Sequence, residues 1–458
     1  MLICALVLIP ICSAEAQPIH ADAEARFTEA VALFEAGDFE SAREIFATVR
    51  LDFPRHRKTS AAWLMEAKAL YRMGEYALCI DLLENFPGDE HASAAARTLR
   101  YARKQQEHEE RLSAAFVLGV VLPLGVQDVS LAQSLFNGIR IAVDEWNDSS
   151  DPPVRIVFRN SRNTAEGARR AVEALALQGV DVIIGPLFSG EAHAAAAEAN
   201  VRGVVMVAPL ATDRDIARSR EYVFQANPPP SARGVFLARV GIERLGAQLV
   251  GVVSDGASRV SQRMADGFSL ETERLGADVI FHQTLIGPER WGLLGEVTEP
   301  FDSVDVVFLP IHDDLASEST RQIVKALGVI ADLEDPPPIL GGTAWNDVAL
   351  SRYAAGLDVA FADVFYVNKN LSAVRRFSAS YREASGGNDP GRLAYVGYDV
   401  ARFVVELLSE SGAESLAESL RTARTYEGLG TRINFDRDRV NEEMFLLTYT
   451  SGGVRPVR

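Results

Sequence analysis

The chain has 458 residues, more than one hydrophobic core usually supports, so we expect two or three compact units. Hydrophobic residues make up 48% and charged residues 24%, values that exclude a mainly disordered or fibrous chain. Acidic residues outnumber basic ones 63 to 46, and the formal charge of −17 argues against a nucleic acid or an anionic lipid surface as the main partner.

The amino-terminal residues 1–16 predict a secretory signal peptide. The run is apolar, is shorter than the roughly 20 residues of a membrane span, and ends in Ala-Glu-Ala, a small-x-small pattern typical of signal peptidase sites. The absence of a basic residue near Met1 departs from the usual pattern. Ile11 is bulky where lipid-modified cysteines usually follow a small residue, so Cys12 is not expected to carry a lipid anchor. We therefore expect a secreted protein.

Residues 21–110 predict a helical segment with an internal repeat. The motif LFEAGDF at 33–39, followed by Ala42, recurs as LYRMGEY at 70–76, followed by Cys79. Pro54 and Pro87, which close the two repeats, are 33 residues apart. A small-residue helix contact, a glycine turn and a closing proline resemble tetratricopeptide repeats, although two unrelated helical hairpins are an alternative. Because two repeats are fewer than the roughly three that such a solenoid needs alone, we expect this segment to pack against something else.

From residue 114 onward, apolar runs alternate with amphipathic helices. This order predicts a parallel sheet with helices on both faces. The sequence NPPP at 227–230 interrupts the alternation, which then restarts. The fold class is therefore α/β, with two Rossmann-like three-layer lobes, an all-α segment before them and a ligand cleft between the lobes. The predicted strands are 115–122, 154–158, 180–184, 204–208, 249–254, 278–282, 304–309 and 339–340; the predicted helices are 131–146, 165–178, 191–200, 235–245, 264–275 and 318–330.

The sequence lacks the motifs of common enzymes and metal sites. No G-x-G-x-x-G follows the first strand, and no Walker loop or G-x-S-x-G elbow occurs anywhere. Cys79 is alone beyond the leader, so no disulfide framework or cysteine-based metal site is expected. The cluster His312-Asp313-Asp314 is better explained as a solvated loop than as a metal site. We expect no cofactor and no enzymatic activity.

Six ordered motifs of the second unit resemble the leucine/isoleucine/valine-binding branch of the type I periplasmic binding proteins. The resemblance runs from about residue 116 to the C-terminus and implies a periplasmic protein that closes two lobes around a ligand, often for delivery to an ABC permease. It also implies three crossings between the lobes, with lobe one as 114–228 and 369–425 and lobe two as 229–368 and 426–458. The motifs are FVLGVVLPL (116–124), GIRIA (138–142) before WN (146–147), GVDVIIGPLFSGEA (179–192), VMVAPLATD (205–213), YVGYDVA (395–401) and GLGTRINFD (428–436).

Two loops at the carboxyl edge of the predicted first sheet carry the candidate ligand site. Ser189 precedes an alanine-rich helix as a candidate N-cap, and Thr212 follows the neighbouring strand in the same relation. Hydroxyls and free N–H groups there suit a ligand carboxylate. The resemblance implies that this Ser and Thr bind an amino acid's carboxylate and ammonium, with a backbone carbonyl at Leu210. Leu124, which ends the first motif, is a further candidate, and plain helix capping is the alternative.

Other candidate positions depart from the family pattern. Arg259 stands where the resemblance implies a tyrosine, and Thr343 where it implies an acidic residue for the ligand's ammonium. An Arg259 that faces the cleft favours a second anionic group, such as a dicarboxylate, whereas an Arg259 on a solvent-facing loop has no such role. Trp345 either stacks on a ligand or plugs the hinge. His312 lies at the loop described above.

Two functions remain open from the sequence. The first is a solute receptor for an amino acid or small carboxylate, with an ABC permease as its partner. The second follows from the joined architecture, which resembles penicillin-binding-protein activators that regulate a cell-wall synthase by protein contact. In that case the repeats hold the partner, and Ser189 and Thr212 are only helix caps.

Overall fold

The structure is a computed structural model that describes residues 21–88, 90–125, 129–287, 289–294, 301–312, 316–450 and 453–457. The predicted signal peptide, with Cys4 and Cys12, lies outside these residues, as do Asp313 and Asp314 of the predicted loop cluster. The chain divides into two compact units at Ala114, unit one before it and unit two after it.

Unit one is helical, as predicted. Its first two helices form a hairpin that turns at Gly37, and the next two form a hairpin that turns at Gly74, with left-handed φ values of +85° and +82°. These turns are 37 residues apart, more than the 33 that separate the prolines, because the hairpins differ in helix length. Their assignment to tetratricopeptide repeats stays a prediction. The helices are α1 (Ala21–Ala36), α2 (Phe39–Asp52), α3 (Thr59–Met73), α4 (Tyr76–Glu84) and α5 (Ala92–Ser113).

Unit two begins with lobe one, a parallel sheet in the order β2-β1-β3-β4-β5. Its short apolar strands are buried on both faces, which is why they read as continuous hydrophobic runs. The elements are β1 (Phe116–Leu122), α6 (Val129–Ser149), β2 (Val154–Asn160), α7 (Ala165–Leu177), β3 (Val182–Ile184), α8 (Ser189–Arg202), β4 (Val205–Ala208) and β5 (Val223–Gln225).

Lobe two repeats the pattern around a second sheet, whose five parallel strands follow the order β10-β9-β8-β6-β7. Its core includes the stacked rings of Phe268 and Phe308. The elements are α9 (Pro230–Arg239), β6 (Leu249–Asp255), α10 (Arg259–Arg274), β7 (Asp278–Leu285), β8 (Val306–Leu309), α11 (Ala316–Ala331), β9 (Ile339–Gly341) and β10 (Val359–Asp363).

The chain then returns to lobe one before it ends in lobe two. Three helices and a small hairpin pack on the lobe-one core. The last strands join lobe two, where β13 pairs antiparallel with β10 and β14 pairs with β13. These elements are α12 (Ser372–Ala384), α13 (Arg392–Ser411), α14 (Leu416–Thr422), β11 (Tyr426–Glu427), β12 (Arg432–Ile433), β13 (Phe445–Thr450) and β14 (Gly453–Pro456).

In the described residues the chain passes between the lobes three times: after β5, after β10 and before β13. The predicted boundary at residue 425 lies before the third passage. Ile433 and Phe435 pack in the lobe-one core, and Val440 bridges to Gln225 beside β5. The return to lobe two therefore comes close to Met444, which packs with the lobe-two core.

Several local predictions differ from the structure. Helix α10 begins at Arg259 rather than residue 264. Helix α9 begins at Pro230 rather than residue 235. Proline suits the first position of a helix, because the backbone N–H of that position makes no hydrogen bond within the helix and its absence costs nothing. Strand β5 was not predicted as a strand, since its three residues lie directly before the NPPP sequence that indicated a crossing.

Candidate functional site

Ser189 and Thr212 lie together at the carboxyl edge of the lobe-one sheet. The Ser189 hydroxyl accepts hydrogen bonds from the backbone N–H of Thr212 (3.1 Å) and of Asp213 (3.3 Å). These two bonds use both acceptor sites of the hydroxyl. Its O–H is therefore left to donate, and within the described part of the chain it makes no further hydrogen bond. A ligand oxygen is the natural acceptor for this proton.

The loop that carries Ser189 depends on a glycine at its start. Gly185 has a φ of +118°, and a side chain there would come 2.0 Å from the Val121 carbonyl oxygen. Phe188, not Ser189, is the N-cap of α8; Ser189 is the first helical residue. The predicted N-cap role is therefore not what the structure shows, because the Ser189 hydroxyl is used to hold the neighbouring loop instead of its own helix.

Charged groups surround this edge from both lobes. His193, one turn along α8 from Ser189, lies 3.0 Å from the Asp213 carboxylate. The pKa of Asp213 is below its usual value because of this contact, with smaller contributions from the Asp215 N–H and from Arg263. Since Arg263 belongs to α10 of lobe two, its charge acts on Asp213 across the cleft.

Leu210 and Leu124 occupy the same edge. The backbone carbonyl of Leu210, which the family resemblance assigns to a ligand ammonium, accepts a hydrogen bond of 2.8 Å from the Asn227 amide. Leu124 is 49% exposed, and its N–H donates to the Asn160 side chain at 3.0 Å. Asn227 lies in the first crossing, so it connects this edge with the hinge.

The hinge contains Arg233, which is only 7% exposed and which no sequence motif indicated. Its guanidinium donates to the Thr343 hydroxyl (3.0 Å), the Asn227 side chain (3.3 Å) and the Pro228 carbonyl (3.2 Å). All three partners are neutral, and Nε has no partner among the described residues. Burial, reinforced by the positive charge of Arg392, lowers the pKa of Arg233 to about 10, although Asp363 acts in the opposite direction.

Asp363 and Arg392 join the lobes beside Arg233. Asp363 ends β10 of lobe two with 1% exposure, and Arg392 begins α13 of lobe one; their carboxylate and guanidinium are 3.0 Å apart. The other Asp363 oxygen accepts from the Asn346 amide at 2.7 Å. Arg392 is 37% exposed and lies 5.4 Å from the ring centre of Phe365. The Arg392 side chain is therefore partly open to solvent.

The other sequence-predicted positions are separated from this arrangement or differ in role. Arg259 is the exposed first residue of α10. Trp345 is fully buried in the lobe-two core, where its indole donates to the Leu309 carbonyl at 3.0 Å, so neither face of its ring is open to a ligand. His312 is half-buried just beyond β8. Of these lobe-two candidates, Thr343 is the one that hydrogen-bonds to Arg233 at the hinge.

A sequence signal for the hinge residues was weak. Arg233 is a single arginine in the first turn of a helix, and Arg392 and Asp363 are far from it in the chain. The NPPP crossing that precedes Arg233 is the one feature that points to its neighbourhood. Among the described residues, no group of three or more His, Cys, Asp or Glu side chains is placed to hold a metal ion. None of the helices described is both long and apolar enough to cross a membrane.

Comparison with known proteins agrees with this architecture. Residues 116–286 match the sequence profile of a family described as periplasmic binding protein. No curated protein sequence matches the chain. Unit two has the type I periplasmic-binding-protein fold, which confirms the α/β fold predicted from the sequence.

Several solved structures share this fold at low sequence identity. A putative branched-chain amino acid ABC transporter protein from Rhodospirillum rubrum is 20% identical, with a TM-score of 0.64, over 75% of this chain and 100% of that one. An ABC transporter substrate-binding protein from Desulfitobacterium hafniense, in complex with Leu, is 19% identical with a TM-score of 0.56, covering 75% and 100%. A solute-binding protein from Rhodopseudomonas palustris, in complex with 3,4-dihydroxy benzoic acid, is 15% identical with a TM-score of 0.54, covering 75% and 96%.

Proposed function

We propose that this chain is an extracytoplasmic solute receptor that binds an amino acid or small carboxylate in the cleft of unit two and serves an ABC permease. The observation that carries the proposal is the Ser189 hydroxyl, whose acceptor sites are filled by the Thr212 and Asp213 N–H groups. A hydroxyl in this state donates its proton, and a carboxylate oxygen is a strong acceptor for it.

Three further features support a receptor. The site lies at the carboxyl edge of a parallel sheet, where open α/β folds bind ligands. Two lobes linked by crossings can close around a small molecule by a hinge motion. The structural neighbours include proteins whose names describe ABC transporters and complexes with leucine or an aromatic acid. A periplasmic location, reached by the predicted signal peptide, is part of the proposal.

The test is a thermal-shift screen of amino acids and small carboxylates against the purified chain. A ligand should raise the unfolding temperature in a saturable manner, and the double variant Ser189→Ala with Thr212→Val should abolish the shift. The matched control is Ser411→Ala with Thr422→Val. In the described chain these two hydroxyls donate to nearby backbone carbonyls, of Leu407 and Gly412 for Ser411 and of Glu418 for Thr422. An unchanged shift in the Ser189 and Thr212 double variant would place the binding site elsewhere.

A second candidate function is regulation of a cell-wall synthase by protein contact, as in penicillin-binding-protein activators. The paired hairpins of unit one favour it, since a transport receptor has no evident need for them. This function predicts that a wall synthase co-purifies with the chain. It also predicts that the Ser189 and Thr212 double variant still binds the synthase. Loss of the synthase together with loss of small-molecule binding would instead tie the contact to the cleft.

A further inference from the structure

The hinge end of the cleft holds more positive than negative charge. The charges of Arg392 and Asp363 both act on Arg233, and Asp363 is paired with Arg392 at 3.0 Å. Asp363 is already bonded to Arg392 and Asn346, while Arg233 has only neutral hydrogen-bond partners in the described chain. Burying a cation without a hydrogen-bonded anion is unfavourable, so this cluster is completed by one additional negative charge.

We propose that the ligand is a dicarboxylate, with one carboxylate at Ser189 and the other at the hinge subsite formed by Arg392, Thr343 and Arg233. This inference rests on the proposed receptor function and names the ligand class for the same cleft. Arg392 contacts the second carboxylate directly through its free donors. The buried Arg233 does not contact the ligand. Its positive charge attracts the second carboxylate, and its hydrogen bond orients the Thr343 hydroxyl towards that carboxylate.

The hydrogen-bond directions at the hinge select an acceptor. Because the Thr343 hydroxyl accepts from Arg233, its own proton is left for a ligand oxygen. The Ser189 hydroxyl is in the equivalent state at the lobe-one edge. Both ends of the cleft therefore present donors, and both suit carboxylates.

The hinge end of the cleft is poorly suited to an ammonium group. Thr343 supplies no negative charge, and the nearby guanidiniums repel a cation. The Leu210 carbonyl already accepts from Asn227, which in turn accepts from Arg233. These bonds form a chain from the lobe-one edge to the hinge, in which Asn227 donates to Leu210, and Arg233 donates to Asn227 and Thr343.

The experiment is isothermal titration of the full chain with succinate, glutarate and adipate, compared with butyrate and leucine. We expect at least one dicarboxylate to bind about tenfold or more tightly than butyrate, the loss of one charge-assisted contact being worth about that factor. Thr343→Val keeps the side-chain shape but removes the hydroxyl, and should erase most of this advantage while butyrate binding is unchanged. Arg352→Gln, which removes an exposed guanidinium of lobe two, is the charge control.

A second variant at Thr343 keeps the test independent of folding. Removal of Arg233 is avoided, because Arg233 also holds the Asn227 and Pro228 crossing. Thr343→Glu instead adds a carboxylate beside Arg233 and should abolish dicarboxylate binding while butyrate still binds.

Three results overturn the dicarboxylate. They are equal or tighter binding of leucine or butyrate, an equal loss of butyrate and dicarboxylate affinity in Thr343→Val, and no measurable binding of any dicarboxylate. If leucine binds in these titrations and its binding is lost in Ser189→Ala, the receptor function stands and only the proposed ligand class is wrong. If no compound binds here or in the broader thermal screen, the receptor function fails as well.

Discussion

The carboxylate of Asp399 fixes a turn of backbone that lies far from it in the sequence. It is fully buried and accepts from the N–H groups of Leu429 (2.7 Å), Gly430 (2.9 Å) and Thr431 (2.9 Å), and from the Thr431 hydroxyl (2.9 Å). The Gly430 carbonyl in turn accepts from the N–H of Tyr366 in the second crossing. One side chain of α13 thus holds a turn that supports the hinge.

Replacing this carboxylate should be costly even when its shape is kept. In Asp399→Asn, one oxygen becomes an NH₂ group, which opposes an N–H donor in either orientation. We expect the free energy of unfolding of unit two to fall by about 2 kcal/mol, the cost of unsatisfied buried donors, measured by urea titration. Asp389→Asn, an exposed change that removes only an ion pair with Arg382, should cost little. Equal effects of the two changes would contradict this role of Asp399.

Glu271 predicts a pH dependence of stability. It is buried on α10 and bonds Arg274 and Arg239 at 2.6 Å each. The Arg274 contact first, and then Arg239, lowers the pKa of Glu271 to about 2 from an ordinary 4.5. Because the native pKa is below the unfolded one, the contribution to stability is complete above pH 4.5 and is lost as the pH falls towards 2.

The variant Glu271→Gln removes this titration. We expect it to lower the free energy of unfolding by about 1–2 kcal/mol at neutral pH and to lose less stability than the natural chain on acidification, measured by urea titration at neutral and acidic pH. Glu273→Gln, an exposed neighbour on the same helix, should leave the pH profile unchanged. A Glu271→Gln profile that falls as steeply as the natural one would assign the acid sensitivity to other groups.

At the residue scale, the sequence predicted the lobe-one edge better than the hinge. Ser189 and Thr212 follow neighbouring strands of one sheet, and strand order alone brings such loops together. Arg233, Asp363 and Arg392 lie on either side of the first two crossings, far apart in the sequence, and no local pattern indicates that these segments come together. For Trp345 the sequence left open a ligand surface or a hinge plug, and the structure buries its ring in the lobe-two core.

At the scale of elements, each lobe contains a pair of helices that touch through glycines. In lobe one, a side chain at Gly138 of α6 would lie 2.0 Å from the Ala394 carbonyl oxygen of α13. In lobe two, a side chain at Gly234 of α9 would lie 2.0 Å from the Met264 carbonyl oxygen of α10. These distances leave no room for a methyl group, so the backbones themselves set the helix separation.

Gly138→Ala should therefore destabilise unit two by about 3 kcal/mol, because the helices must separate to admit the methyl group. The matched control is Gly328→Ala near the carboxyl end of α11, where nothing lies within 4 Å of the added atom. That change should be neutral or stabilising by up to about 1 kcal/mol, since alanine favours the helix. Urea titration of both variants measures the change in the free energy of unfolding. Changes of the same sign and similar size in the two variants would contradict close packing at Gly138.

Most elements of unit two were predictable because their burial is regular. Strands β1, β3, β4 and β8 read as short hydrophobic runs, and the buried faces of α6 and α10 recur at helical spacing. The carboxyl-terminal strands β13 and β14 escaped prediction because their side chains are only partly buried at the sheet edge. The 425 boundary failed for a related reason: the segment 426–440 has too little regular structure to reveal which lobe it covers.

At the scale of the whole molecule, the candidate site is divided between two lobes. Ser189 and Thr212 belong to lobe one, Thr343 and Arg233 to lobe two, and Arg392 reaches from lobe one to Asp363 of lobe two. A ligand that contacts both sets favours the closed arrangement by its extra contacts, whereas a ligand that contacts one set does not.

Hydrogen exchange of backbone amides distinguishes these two cases. With a bound dicarboxylate, we expect slower exchange at 187–192 and 209–214 in lobe one and also at 341–346 in lobe two. Butyrate, which fills only the Ser189 end, should slow exchange in lobe one alone. In Thr343→Val, the dicarboxylate should act as butyrate does, because the contact that links it to lobe two is lost. If butyrate slows amide exchange in both lobes, closure does not depend on a second carboxylate. Arg233, Thr343 and Arg392 would then stabilise the closed form without a ligand group at the hinge.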